Sequence, residues 1–241
     1  MSMLTQPTAG EAVRNQFARN LYGRSGILGS LLALQVIGVA IAFFGSNGFG
    51  TADGQVSINV VDYSANPVIG LTLLWALIAP LYLSGRDSLR SDFIFPGSRA
   101  TRHIGNSLYF AALVLAGSLT TTLAFMASVL FAAIPGEPLI LPGGGVGYYV
   151  SLFVVLSGCC LLVASGSYFA GTLFSVSRFA AFALFALVLV FFRLLANVDP
   201  PAILVGIFKG PAALFFLKTL LGAVLFFIGA IIAGSRQEVK E

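Results

Sequence analysis

Long stretches of this 241-residue chain carry no charged side chain at all. The apolar runs cover 25–52, 63–85, 104–136, 138–177, 179–192 and 219–235, and the ionisable residues gather in the short intervals between them. A helix that crosses a bilayer needs about 20 mostly apolar residues. Lipid offers backbone N–H and C=O groups no partners, so such runs must fold as helices. The pattern therefore predicts an all-α polytopic membrane protein forming one transmembrane domain over 1–241. Its six spans fall at about 26–44, 67–83, 107–133, 147–171, 176–195 and 211–234. Breakers set the limits. Gly45 to Gly54 ends span 1, and Gln55 to Tyr63 reads as a short extended piece outside it. Pro67 opens span 2, where its missing N–H costs nothing, and Pro80 kinks or ends that helix. Span 3 stops before Pro135 and Gly136, and Pro142 to Gly145 precede span 4. The stretch from Pro200 to Phe208 is apolar but too short to cross, which predicts a re-entrant or interfacial helix between spans 5 and 6.

Composition closes off the soluble alternatives. Hydrophobic residues make up 58% and charged residues 9%, against about 45–50% and about 25% in soluble domains. The mean hydropathy is +0.96. The net charge of +4 does not signal nucleic-acid binding, because the basic residues sit in separate short connections and form no continuous face. Cys159 and Cys160 are adjacent within a span and point in different directions, so they read as small apolar residues and not as a disulfide. Residues 1–25 lack the form of a secretory signal. They read either as a short helix capped by Thr8 or Thr5, lying in the interface with its arginines toward lipid phosphates, or as a basic tail.

Six crossings put both termini on one side, and lysine and arginine say which. One side holds Arg14, Arg19, Arg24, Arg86, Arg90, Arg99, Arg102, Arg178, Arg236 and Lys240, whereas the other holds Lys209 with Asp53, Asp62, Glu137 and Asp199. By the positive-inside rule the first side is cytoplasmic. The chain is thus expected in a prokaryotic plasma membrane with both termini inside.

Within the spans, Ala112, Ala116, Thr120, Ala124, Ser128 and Ala132 recur every four residues along span 3. Small residues at that spacing allow close backbone approach. The stripe is either a bundle contact, a subunit interface or the wall of a pathway. Thr120 to Thr122 and Ser157, Ser165, Ser167 and Tyr168 give a mildly polar seam, although hydroxyls can also bond their own helix carbonyls. Arg193 and Lys218 are the charges nearest the hydrocarbon, with Asp199 a plausible partner. They either snorkel to the surface or stand near the outer mouth of a pathway.

Catalytic chemistry has little to work with. His103 is the only histidine, so neither a bis-histidine haem nor a zinc or copper cluster can be assembled. No carboxylate lies in the core of a span, and the phosphate-binding loop and nucleophile elbow are both missing. The chain is not expected to be an enzyme or to bind a cofactor of its own.

The longest connection on the basic side runs from Ser84 to Asn106. Arg86, Asp87, Arg90 and Asp92 form an alternating-charge surface beside the apolar Phe93, Ile94 and Phe95. This is either a docking surface for a soluble partner or an apolar knob seated in the lipid interface. Phe95, Pro96, Gly97, Ser98, Arg99, Ala100, Thr101 and Arg102 then resemble a Leu-Pro-x-Ser-Arg phrase, with phenylalanine for leucine. That phrase belongs to the membrane subunits of six-span (ABC-2 type) ATP-binding-cassette exporters. The layout also resembles that family: a basic interfacial helix before span 1, and short re-entrant helices between the last two spans. The resemblance implies an export permease whose loop between spans 2 and 3 meets a separate ATPase. Two ATPase subunits would bind the ATP and magnesium, and a second permease copy or paralogue would complete the transporter. The rival reading is a non-transporting structural or assembly subunit.

Overall fold

The computed structural model describes residues 8–44, 48–53, 56–61, 66–85, 99–132, 145–177 and 210–235, and scattered residues between 179 and 193. Helices α1 (Ala9–Gly23) and α2 (Ser25–Phe44) are followed by strands β1 (Gly48–Asp53) and β2 (Val56–Val61). Then come α3 (Asn66–Leu83), α4 (Arg99–Ala132), α5 (Val146–Val176) and α6 (Ala212–Ser235). Five of these helices, α2 to α6, are long and apolar enough to cross a membrane. The described residues of the expected fifth span, at 179, 181–183, 186, 190 and 193, are helical. The expected re-entrant segment, with Asp199 and Lys209, lies outside the described residues.

Most of the expected boundaries agree with the helices to within a few residues. Two differ more. Helix α4 begins at Arg99, eight residues before the expected start of span 3, so the basic turn after Pro96 is the first turn of the span's own helix. The Gly-rich stretch after span 1 is β1, paired antiparallel with β2 from Gly48↔Val61 to Asp53↔Val56. Only Gln55 to Tyr63, which contains β2, was expected to be extended.

Burial is inverted relative to a water-soluble bundle. Asn20, Gln35, Thr72, Asn106, Thr121 and Thr172 are buried, while Leu32, Ile37, Ile78, Leu119, Leu123, Leu221 and Leu225 face outward. Water would oppose so large an exposed apolar surface. Lipid does not, and there helices associate through close packing and interhelical hydrogen bonds. The fold thus defines a multi-pass α-helical membrane protein.

Cross-helix contacts fix the direction of each helix. Gly38 lies against Val68 and Ser30 against Trp75, so α2 and α3 are antiparallel. Leu31 packs on Gly117 and Tyr109 reaches the Arg24 carbonyl, so α2 and α4 are parallel. His103 meets Tyr168 while Phe125 meets Tyr149, so α4 and α5 are antiparallel. Gly158, Gly166, Gly222 and Gly229 face Thr219, Phe226, Leu162 and Phe169 in turn. These partners advance together along both chains, so α5 and α6 are parallel. The bundle therefore has an arginine end, carrying α1, Ser84, the start of α4 and the ends of α5 and α6. At its other end lie the hairpin and the start of α5.

The core follows from this arrangement. Leu31, Trp75, Leu83, Tyr109, Phe110, Leu113, Leu156, Ala164, Tyr168 and Ala230 form one buried cluster reaching from α2 to α6. Tyr168 is its aromatic centre, with ring centroids 5.9 Å from Phe110 and 6.1 Å from Phe227.

Candidate functional site

Two polar clusters are built into the bundle. The first is at the arginine end, where α1 crosses the start of α4. Thr8 begins α1 with a capping box: its N–H donates to Glu11 Oε2 at 2.9 Å, and its hydroxyl accepts from the Glu11 N–H at 3.4 Å. Hydrogen bonding of the Glu11 carboxyl to the Thr8 backbone N–H, and then to the Thr8 side chain, holds it below its ordinary pKa. The helix then docks through amides. Asn20 Nδ2 donates to Asn106 Oδ1 at 2.7 Å, and Gln16 lies against Gly105, where any larger residue would collide with it. Leu21 and Tyr22 are exposed. The buried Asn20 anchors this helix together with Phe17, which packs against the core cluster.

Asn106 carries the network onward. Its Nδ2 donates to Tyr168 Oη at 3.2 Å, and His103 Nδ1 lies 2.9 Å from the same oxygen. Arg102 Nη2 is 3.3 Å from His103 Nε2. Arginine can only donate, so Nε2 accepts and the single proton of a neutral imidazole sits on Nδ1, directed at Tyr168. Gly234 of α6 closes over the same imidazole, and Ser84 at the end of α3 abuts Gly171 of α5. All of the helices α3 to α6 are thereby joined at this end. Arg19 and Arg24 stand beside the network; burial lowers the pKa of both guanidiniums, and for Arg24 the charge of Arg19 adds to it.

The second cluster lies midway along the spans. Gln35 Nε2 donates to the Gly117 carbonyl at 2.9 Å and to Thr121 Oγ1 at 3.0 Å, while Thr120 Oγ1 donates to Gln35 Oε1 at 2.8 Å. Thr72 and Thr121 hydroxyls are 3.0 Å apart. One amide thus ties three helices together where lipid supplies no alternative partner.

The candidate residues from the sequence fall in several places. Arg86, Asp87, Arg90, Asp92, Phe93, Phe95, Pro96 and Ser98 lie outside the described residues. Arg99 opens α4, and Arg102 is buried one turn in, against His103. The four-residue stripe divides. Ala112 and Ala116 face outward, Thr120 reaches Gln35 and Ala124 is half-buried. The intrasubunit contact expected of the stripe falls on the adjoining row, Leu113, Gly117 and Thr121. Arg193 and Lys218 are exposed. Gln35, Asn20 and Asn106 carry the polar contacts but were not singled out from the sequence. Gln35 had a visible signal, as an amide in the middle of an otherwise apolar span.

Among the described residues no group of His, Cys, Asp and Glu could hold a metal ion. No known protein-family model matches the chain, and no curated protein matches it.

Proposed function

We propose that the chain is the permease subunit of an ATP-driven exporter of the six-span ATP-binding-cassette type, coupled to a separate ATPase through the loop between its second and third spans. The parallel contact of α5 with α6 carries this reading. Two neighbouring parallel spans require the chain to return across the membrane between them. Residues 178–210 are long enough to cross once, which gives six crossings and both termini at the arginine end. That end is cytoplasmic under the positive-inside rule.

The loop 86–98 then leaves and re-enters the bundle at two points tied to the later helices. Before the loop, Ser84 abuts Gly171 of α5; after it, His103 contacts Tyr168 of α5 and Gly234 of α6. An ATPase pressing on Arg86, Asp87, Arg90, Asp92 and Phe93 would therefore act where α3 and α4 join α5 and α6, and would move these joined helices as a body against the second permease. Such relative motion of rigid helices is how access could alternate between faces. ATP and magnesium belong to the ATPase pair, and a second permease copy or paralogue completes the pathway.

Affinity purification of the native complex tests the reading. A soluble ATPase should co-purify, and a quadruple substitution at Arg86, Asp87, Arg90 and Phe93 should release it while the permease still inserts. Retention of the ATPase by that variant sinks the docking assignment. A stable complex without any ATPase favours the structural or assembly subunit instead. Single-cysteine labelling at 90 and 240, in a background lacking Cys159 and Cys160, should find both positions on the cytoplasmic side.

A further inference from the structure

A cleft of about 690 Å³ opens between α2 and α3 at the arginine end. Its mouth is formed by Gly23, Arg24 and Gly26, and its far wall by Trp75, Ile78 and Tyr82. Space is open at both glycines: a Cβ on either would meet no atom within 4 Å. Inside, the wall is apolar except where Trp75 Nε1 donates to Ser30 Oγ at 3.1 Å, which satisfies the indole without closing the space. From Arg24 to Leu34 the α2 side of the cleft is about 15 Å long at 1.5 Å per residue. That equals about half of a 30 Å hydrocarbon core, the depth of one leaflet.

An apolar slot one leaflet deep, with a guanidinium at its interfacial end, has the charge and shape of one kind of molecule. We propose that this cleft binds an anionic phospholipid from the leaflet at the arginine end, with its phosphate at Arg24 and one acyl chain along Leu34 and Ile78. Arg19 lies close enough to act electrostatically on Arg24, so the two together add positive potential at this end of the cleft. Tyr82 fits the same role, because it lines the cleft and is exposed at the arginine end, where tyrosine favours the headgroup region. The inference requires a membrane location and nothing about transport, so it stands or falls separately from the exporter reading.

Trp75 is the chain's only tryptophan and it lines the cleft, so its fluorescence reports on the occupant directly. The full-length protein is reconstituted into phosphatidylcholine vesicles containing increasing fractions of brominated phosphatidylglycerol, or of brominated phosphatidylcholine as the zwitterionic control. Brominated phosphatidylglycerol should quench Trp75 at a mole fraction about fivefold lower, the preference expected of one engaged arginine. Arg24→Gln should remove that difference by deleting the charge. Gly26→Leu should do so by filling open space while leaving the packed core unchanged, and circular dichroism confirms that both variants are folded. Equal quenching by the two lipids overturns the proposal, because ordinary boundary lipid would then fill the cleft. Protection from both lipids also overturns it, since a second copy of the chain would be covering the mouth. An undiminished preference for phosphatidylglycerol in the folded Gly26→Leu variant would place the anionic site elsewhere and overturn it as well.

Discussion

Where α2, α3 and α4 meet, the side chain of Gln35 bonds the Gly117 carbonyl and the hydroxyls of Thr72, Thr120 and Thr121, beside close approaches at Gly38 and Gly117. Where α5 meets α6, four glycines alternate between the helices and let Phe169, Phe226, Leu162 and Thr219 fit against bare backbone. Both contacts answer the same constraint. Lipid tails are as apolar as leucine, so burying more leucine gains little, and helices must find either a hydrogen bond or an unusually close approach. The difference lies in what each contact tolerates. A hydroxyl that loses Gln35 can turn back to a carbonyl of its own helix, as Thr72 and Thr122 already do. A side chain gained at Gly158 has nowhere to go, because the Thr219 hydroxyl and two phenylalanine rings already surround that position.

The largest expected effect is therefore in the glycine contact. A Cβ at Gly158 would press on the buried Thr219 hydroxyl and lie 3.4 Å from the Phe215 ring. Gly158→Leu should destabilise the folded protein by about 3 kcal/mol, the upper end for an overpacked core. Denaturant titration in detergent micelles measures it, and a loss under about 1 kcal/mol would mean that α6 can shift away from α5. Gly222→Ala sharpens the point. Its Cβ meets only Cδ1 of Leu162, the movable end of a side chain, so a clearly smaller loss is expected.

Gln35→Leu should cost less than Gly158→Leu, about 1–2 kcal/mol, in keeping with interhelical hydrogen bonds between membrane helices. A double-mutant cycle of Gln35→Leu with Thr121→Val isolates one of its bonds, with an expected coupling of about 0.6 kcal/mol. A coupling near zero would show that Gln35 acts by filling space.

The smallest effect contrasts both buried contacts with the exposed start of α1. Glu11 has its folded pKa lowered by Thr8, so its contribution to the cap is complete above the ordinary value of 4.5 and is lost as pH falls through the lower folded value. Amide exchange at Glu11 and Ala12 should accelerate over that interval, while the unfolding midpoint of the bundle stays unchanged. Thr8→Ala should produce the same local fraying at neutral pH. A shift of the whole transition would mean that α1 and the spans unfold as one unit.

How much of this was legible beforehand depends on which force places each residue. The spans at 26–44, 67–83 and 211–234 could be read directly, because hydrophobic length is a property of the local sequence. The early start of α4 could not. Arg99 and Arg102 are polar, and the burial of Arg102 against His103 depends on packing that the local sequence does not display. The stripe from Ala112 to Ala132 was correctly seen as a run of small residues, yet spacing alone does not say which side of a helix meets a neighbour. In a span that is apolar all round, the amphipathic signal that marks the inner face of a soluble helix is lost. For the same reason the glycines of α5 and α6 gave no hint of their pairing.

By itself the sequence determined that this chain lives in a membrane, about where it crosses, and which end carries the arginines, because transfer free energy and charge asymmetry add up residue by residue. The tertiary structure decided which helices are neighbours, that α5 and α6 run in the same direction, and that Asn20, Gln35 and Asn106 are among the polar contacts between helices. Those outcomes depend on pairs of residues far apart in the chain. In lipid, the energy that selects such pairs comes from hydrogen bonds and close contacts that exist only once the helices have met.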